Sequence, residues 1–174
     1  VVLDKEEPQK KLVIVRSVVP TRDMGFLPGG IEEKIDTYTA PYRGIAAELF
    51  DQKNAYELLE TQGAIEFLST SFIRGTTLDN AIILVDEMQN LTFHELDSII
   101  TRVGRNSRII FSGDYYQTDL NKDADKKGIL EFLNIMEVMN NFTTIEFGWA
   151  DIVRSDFVRD YIMTKDMVTR GEIQ

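Results

Sequence analysis

Two short acidic stretches, each closing an apolar run, carry the chemistry that this sequence is equipped to do. In Ile82-Ile83-Leu84-Val85-Asp86-Glu87 the apolar residues would bury a strand and leave two carboxylates at its tip. Asp86 could hold magnesium there, directly or through a water. Glu87 could polarise an attacking water as a general base. Met88-Gln89-Asn90 extend polar groups along the same tip. The second stretch, Ser112-Gly113-Asp114-Tyr115-Tyr116-Gln117, closes the next apolar run. Gly113 lets the backbone come near a ligand, and Asp114 would support the site from its own strand. Gln117 can accept from an attacking water and donate to a phosphate oxygen. Either stretch alone reads more simply as a strand running into a turn. Their recurrence on successive strands favours a common site.

The elements that must position these groups alternate. Residues 11–17 form a nearly continuous apolar run, the pattern of a buried parallel strand, and Pro20 ends it. A Gly- and Pro-containing loop covers 23–30, a short helix 31–35, and a helical pattern 42–61, with Gly63 as its stop. Strands follow at 64–68 and 81–86. Thr92 and Glu95 form a capping-box pattern that opens a helix over 93–103. A strand at 107–112, a helix at 127–139, a strand at 142–147 and a helix at 155–164 complete the order. Such alternation predicts an α/β domain, a mostly parallel twisted sheet flanked by helices. In such sheets ligands bind beyond the carboxyl ends of the strands, where both acidic stretches fall. The whole chain, 1–174, reads as a single domain.

Composition narrows the chemistry further. The chain has 174 residues, 43% hydrophobic and 28% charged, enough for one globular core. No apolar run approaches the roughly 20 residues of a membrane helix, and the first residues lack the basic start and apolar stretch of a signal peptide. The absence of cysteine excludes disulfides, thiolate metal sites and cysteine nucleophiles and suits a cytoplasmic protein. With one histidine, His94, any metal must be held by oxygen ligands. His94 itself reads as a surface residue in a first helical turn. A net charge of -10 argues against a surface that wraps nucleic acid, so RNA binding would need a local patch or a channel between subunits. Arg102, Arg105 and Arg108 are the densest positive cluster, which a solvated helix end explains more simply than a groove. Arg74 could meet phosphate or an RNA backbone, or pair with Asp79. Phe142, Phe147 and Trp149 read as core residues. Tyr115 and Tyr116 could stack on a base or cover the sheet edge.

The ordered series Met24-Gly25-Phe26-Leu27-Pro28-Gly29, Phe72-Ile73-Arg74-Gly75-Thr76-Thr77-Leu78, Val85-Asp86-Glu87-Met88-Gln89-Asn90, Thr101-Arg102-Val103-Gly104, Gly113 to Leu120 and Asp151-Ile152-Val153-Arg154 resembles PhoH-like proteins over nearly the whole chain. The resemblance implies an ATPase with a RecA-like P-loop core, related to superfamily 1 helicases. It is a family tied to phosphate starvation, found in bacteria and phages, forming rings and thought to act on RNA. It makes residues 82–87 a Walker B motif, with Asp86 for Mg2+ and Glu87 for water activation. Gly113, Asp114 and Gln117 then become nucleotide-binding. Arg154 resembles an arginine that contacts the terminal phosphate in cis, and Arg102 a finger reaching a neighbouring subunit. Arg74 and Arg105 become candidates for RNA or phosphate contact. ATP and Mg2+ are the implied cofactors, single-stranded RNA and a homo-oligomeric ring the implied partners, and the cytoplasm the implied location.

The sequence departs from this pattern at one point: it contains no G-x-x-x-x-G-K-[ST]. Without it the backbone cradle, the Lys and the hydroxyl that serve phosphates and magnesium are missing. The expectation is therefore the later portion of a PhoH-like core, with residues 1–7 as the tail of a helix, inactive by itself. Two alternatives remain. One is a non-catalytic RNA-binding or assembly module. The other is a metal-dependent nuclease, which needs Asp114 to converge on Asp86 and Glu87.

Overall fold

A computed structural model describes residues 2–4, 6–18, 31–114 and 123–171. The chain divides into two compact units, Val1–Asn134 and Ile135–Gln174. In the first, four parallel strands form one sheet in the order β2-β1-β3-β4: β1 is Lys11–Arg16, β2 Ile65–Ser69, β3 Ala81–Val85 and β4 Arg108–Phe111. The helices are α1 (Ile31–Leu49), α2 (Ala55–Thr61), α3 (Phe93–Ile100) and α4 (Asp123–Val138), within which the unit boundary falls. This is the α/β parallel sheet with flanking helices that the alternating pattern predicts.

Strand alternation sorts the core into two layers. Ile14 and Ile65 pack with Ala46, Ala55 and Tyr56 from α1 and α2, with Leu12, Tyr42, Leu59 and Phe67 around them. The register pairs Val15 with Val85 and Val85 with Phe111, which puts these three on the opposite face. There Phe132 of α4 meets Phe111 edge-on at 5.0 Å, and Phe93 of α3 at 6.5 Å. Val13, Val15, Ile83 and Val85 are wholly buried, the burial that makes parallel strands read as unbroken apolar runs.

Several expected boundaries move. The helix at 31–35 and the pattern from 42 are one helix, α1, which runs through Pro41. Packing of Ala46 and Tyr42 on the sheet holds it despite the hydrogen bond that Pro41 cannot donate. The helical pattern instead breaks at residues 50–54, where Asp51 has a positive φ of 49°. Residues 2–4 and 6–8 form turns and bends rather than the tail of a helix. The loop at 23–30 lies outside the described residues.

The second unit contains a 3-10 turn, Trp149–Asp151, and helix α5, Asp156–Thr169. The strand expected at 142–147 does not form; residues 142–148 have no regular structure. Phe147 is not a core residue but 83% exposed. Trp149 is half-buried, donating from Nε1 to Asp166 at 2.9 Å beneath the Arg170 guanidinium.

Candidate functional site

The turn after β3 is tied to both neighbouring strands. The Asp86 N–H donates to Val15 on β1 at 3.0 Å, so pairing continues one residue past the strand. On the other side the Ser112 N–H donates to Val85 at 2.8 Å, and the Met88 N–H to Ser112 at 2.9 Å. Between these anchors Glu87 adopts a left-handed conformation, φ 53° and ψ 43°, and the chain passes into a 3-10 turn, Met88–Asn90. The positive φ turns the chain sharply, so that Asp86 and Glu87 share one rim with the end of β4.

Gln89 connects the pieces. It is 3% exposed. Its Nε2 donates to Glu87 Oε2 at 2.5 Å, and its Oε1 accepts from the Asp114 backbone N–H at 3.2 Å. One buried amide therefore links the Glu87 carboxylate to the far side of the cleft. Gly113 makes room for it. A Cβ there would stand 2.8 Å from Met88 Cγ and collide with Gln89 Oε1. Asp86, Glu87, Gln89, Asn90, Ser112, Gly113 and Asp114 line an open cleft of about 490 Å³.

Two residues from outside the acidic stretches reach the same carboxylates. Arg16, the last residue of β1, places its guanidinium nitrogens 3.9 Å from Asp86 Oδ2 and 3.9 Å from Glu87 Oε1. At that distance it neutralises charge without forming a hydrogen bond. Tyr42, on α1, donates its hydroxyl to Asp86 Oδ2 at 2.5 Å. Burial, and then this bond to a carboxylate, push the Tyr42 phenol well above its usual range, so it remains a donor at ordinary pH.

The structure thus brings Asp86, Glu87, Gly113 and Asp114 together. The Arg74, Arg102 and Arg105 side chains do not line this cleft. Arg74 is exposed and meets His94 Nε2 at 2.9 Å rather than Asp79. Asp79 instead accepts from the Arg105 backbone N–H at 2.6 Å. Arg102 is half-buried just past α3. Arg154 belongs to the second unit and is exposed. Gln117, Tyr115 and Tyr116 lie outside the described residues. Among the described residues no three Asp, Glu, His or Cys side chains gather as metal ligands. The sequence assigns no role to Arg16 or Tyr42, and none to Ser112 beyond its place in the second acidic stretch. Arg16 was findable: it ends a strand of the same parallel sheet, where ligand-facing groups gather. Tyr42 carries no local signal, being 44 residues from Asp86.

The sequence profile of PhoH-like proteins matches residues 1–165. The chain belongs to the PhoH-like family. A PhoH-like protein of Bacillus subtilis is 32% identical over 158 residues, covering 90% of this chain and 49% of that protein. Protein PhoH of Escherichia coli is 33% identical over 147 residues, covering 83% of the chain and 41% of the relative. Protein PhoH2 of Bacillus subtilis is 40% identical over 114 residues, 63% of the chain and 26% of the relative. The chain spans about half the length, or less, of these curated relatives.

Proposed function

We propose that this chain carries the magnesium and water-activating half of a PhoH-like ATPase site. The observation that supports this most is the pair Asp86 and Glu87 at the tip of a buried strand, facing Asp114 from the next strand across one cleft. The cleft's donors are oxygens of carboxylates, amides and a hydroxyl, the hard ligands that Mg2+ takes. Mg2+ keeps several waters and needs only one or two carboxylates beside substrate phosphates, so a third acid is not required. When bound, the ion would neutralise charge on the phosphate oxygens. On this reading Asp86 holds Mg2+. Glu87, kept in place by Gln89, takes a proton from the attacking water. Gly113 and Asp114 form the far wall for nucleotide. Gln117 and Arg154 respond to the terminal phosphate, and Arg102 serves as a finger toward a neighbouring subunit of a ring. ATP hydrolysis is coupled to action on single-stranded RNA, with Arg74 and Arg105 as backbone contacts, in the cytoplasm. The 174-residue chain by itself is inactive, because it has no G-x-x-x-x-G-K-[ST] to cradle phosphates.

The test is Mg2+-dependent ATP turnover by the complete protein beside Glu87→Gln, with and without single-stranded RNA. Glu87→Gln should still bind ATP and turn it over at least about 100-fold more slowly, the contribution of a positioned general base. A complete protein that neither binds nor hydrolyses ATP removes the ATPase reading. Turnover indifferent to RNA removes the coupling to that polymer. Turnover by the 174-residue chain alone removes the requirement for the missing loop.

A further inference from the structure

Two tyrosines one helical turn apart on α1, Tyr38 and Tyr42, reach the charged groups at the strand ends. The Arg16 guanidinium lies over the Tyr38 ring, 5.9 Å from its centroid. The Tyr42 ring packs with Phe67, centroids 6.1 Å apart, and its hydroxyl leaves that apolar contact to meet Asp86 Oδ2. Residues four apart on a helix share a face, so one turn of α1 holds both the counter-charge and the carboxylate. The Tyr42 to Asp86 distance, 2.5 Å, is that of a charge-assisted O–H···O⁻ bond.

We propose that Tyr42 is a positioning residue for Asp86: its hydroxyl engages Oδ2 and fixes the carboxylate's rotation, leaving Oδ1 for a divalent cation. The inference rests on the reading of Asp86 as the Mg2+ ligand. Asp86 stands just past the end of β3, where the backbone is fixed by its bond to Val15 but the side chain still has two rotatable bonds. Among the described residues, the groups that restrain the side chain are Tyr42 and Arg16. Arg16 at 3.9 Å supplies charge without direction. The directional restraint is the phenol. A carboxylate that is already oriented loses less entropy on taking a cation, the reason that hydrogen-bonding partners of metal ligands matter nearly as much as the ligands. The pairing also sets a division of labour between the two acids. Asp86 is anchored by α1 and Glu87 by Gln89, so each is held from a different side.

Mn2+ affinity at saturating ADP, read from the electron paramagnetic resonance of free Mn2+, tests this in the complete protein. Asp86→Asn should weaken Mn2+ strongly. Tyr42→Phe, which keeps the ring against Phe67, should weaken it about tenfold, the lower end of what such partners contribute. In the Asp86→Asn background Tyr42→Phe should add no further loss, because its effect passes through that carboxylate. Tyr56→Phe is the control: Tyr56 is aromatic and more deeply buried than Tyr42, its hydroxyl has no hydrogen-bond partner among the described residues, and its loss should leave Mn2+ binding unchanged. Thermal melts of each variant establish that the fold is kept. If Asp86→Asn weakens Mn2+ and Tyr42→Phe does not, the positioning role is overturned while the metal assignment stands. If Tyr42→Phe tightens Mn2+, the hydroxyl competes with the cation, and the proposal is again overturned. If Asp86→Asn leaves Mn2+ binding intact, the metal assignment falls and takes this inference with it.

Discussion

At the scale of single residues, the least legible feature is the backbone of Glu87. Among the described residues four non-glycine residues have positive φ. Three of them, Asp51, Asn80 and Asn106, are the types that tolerate it. Glu87 has no such tolerance, and the left-handed conformation costs about 1–2 kcal/mol. The strain is held by the Asn90 N–H donating to Glu87 at 2.9 Å and by the Met88 bond to Ser112. Nothing in the local sequence announces it, because the constraint comes from β4, more than 20 residues away. Asp86, Glu87, Gly113 and Asp114 were legible, since apolar runs ending in acids can be read directly. Arg16 is readable from its place at a strand end, whereas Tyr42 is not, because its part depends on which helix crosses which strand end. Gly113 allows a residue-scale prediction. Gly113→Ala would press a Cβ against Met88 and displace Gln89 Oε1. It should cost about 1–3 kcal/mol of stability, as overpacking does. Urea midpoints of the two proteins would show it, and an unchanged midpoint would mean the turn simply relaxes.

At the scale of elements, the sequence located strands better than their neighbours. β1, β3 and β4 fall within the apolar runs, and α3 begins where its cap predicts. Thr92 Oγ1 accepts from the Glu95 N–H at 3.3 Å, and Glu95 Oε2 accepts from the Thr92 N–H at 2.9 Å. Glu95 Oε1 also accepts from Thr70 at 2.9 Å, tying the helix start to the turn after β2. Thr92→Ala should therefore lower stability by about 1 kcal/mol, the usual value of an N-cap, measurable as a shift in the denaturation midpoint. A variant as stable as the wild type would make the cap redundant with the Thr70 contact. The failures have physical causes. Residues 142–147 have strand-forming types, but among the described residues their unit contains no strand, and strand preference is expressed mainly through cross-strand neighbours. The break expected between the helix at 31–35 and the pattern from 42 does not form, because the apolar face of α1 against the sheet outweighs the hydrogen bond that Pro41 cannot donate.

At the scale of the whole molecule, the fold class followed from the alternation of elements, whereas the extent of exposed apolar surface did not. β2 and β4 are the edges of the described sheet, and Ile110 on β4 is 51% exposed. In the second unit Val153 is 94% exposed and Phe157 83%. Unpaired edges and bare apolar side chains promote association, and a net charge of -10 opposes it. Salt screens the charge within about 3 Å at 1 M and leaves the apolar term in place. The 174-residue chain should therefore self-associate more as salt is raised, read by light scattering. A clean monomer at every salt concentration would refute this.

The one tryptophan is Trp149, in the second unit, held by Asp166 and covered by Arg170. Its emission consequently reports first on its own unit, residues 135–174. Far-ultraviolet circular dichroism weights the other unit, which holds α1 to α3, most of α4 and all four strands. A protein whose two optical signals melt at one temperature unfolds as a single cooperative body. Two separate transitions would mean that the segment bearing Arg154 can loosen while the carboxylates at the strand tips stay in place, and an intrinsic probe of that event is already built into the chain.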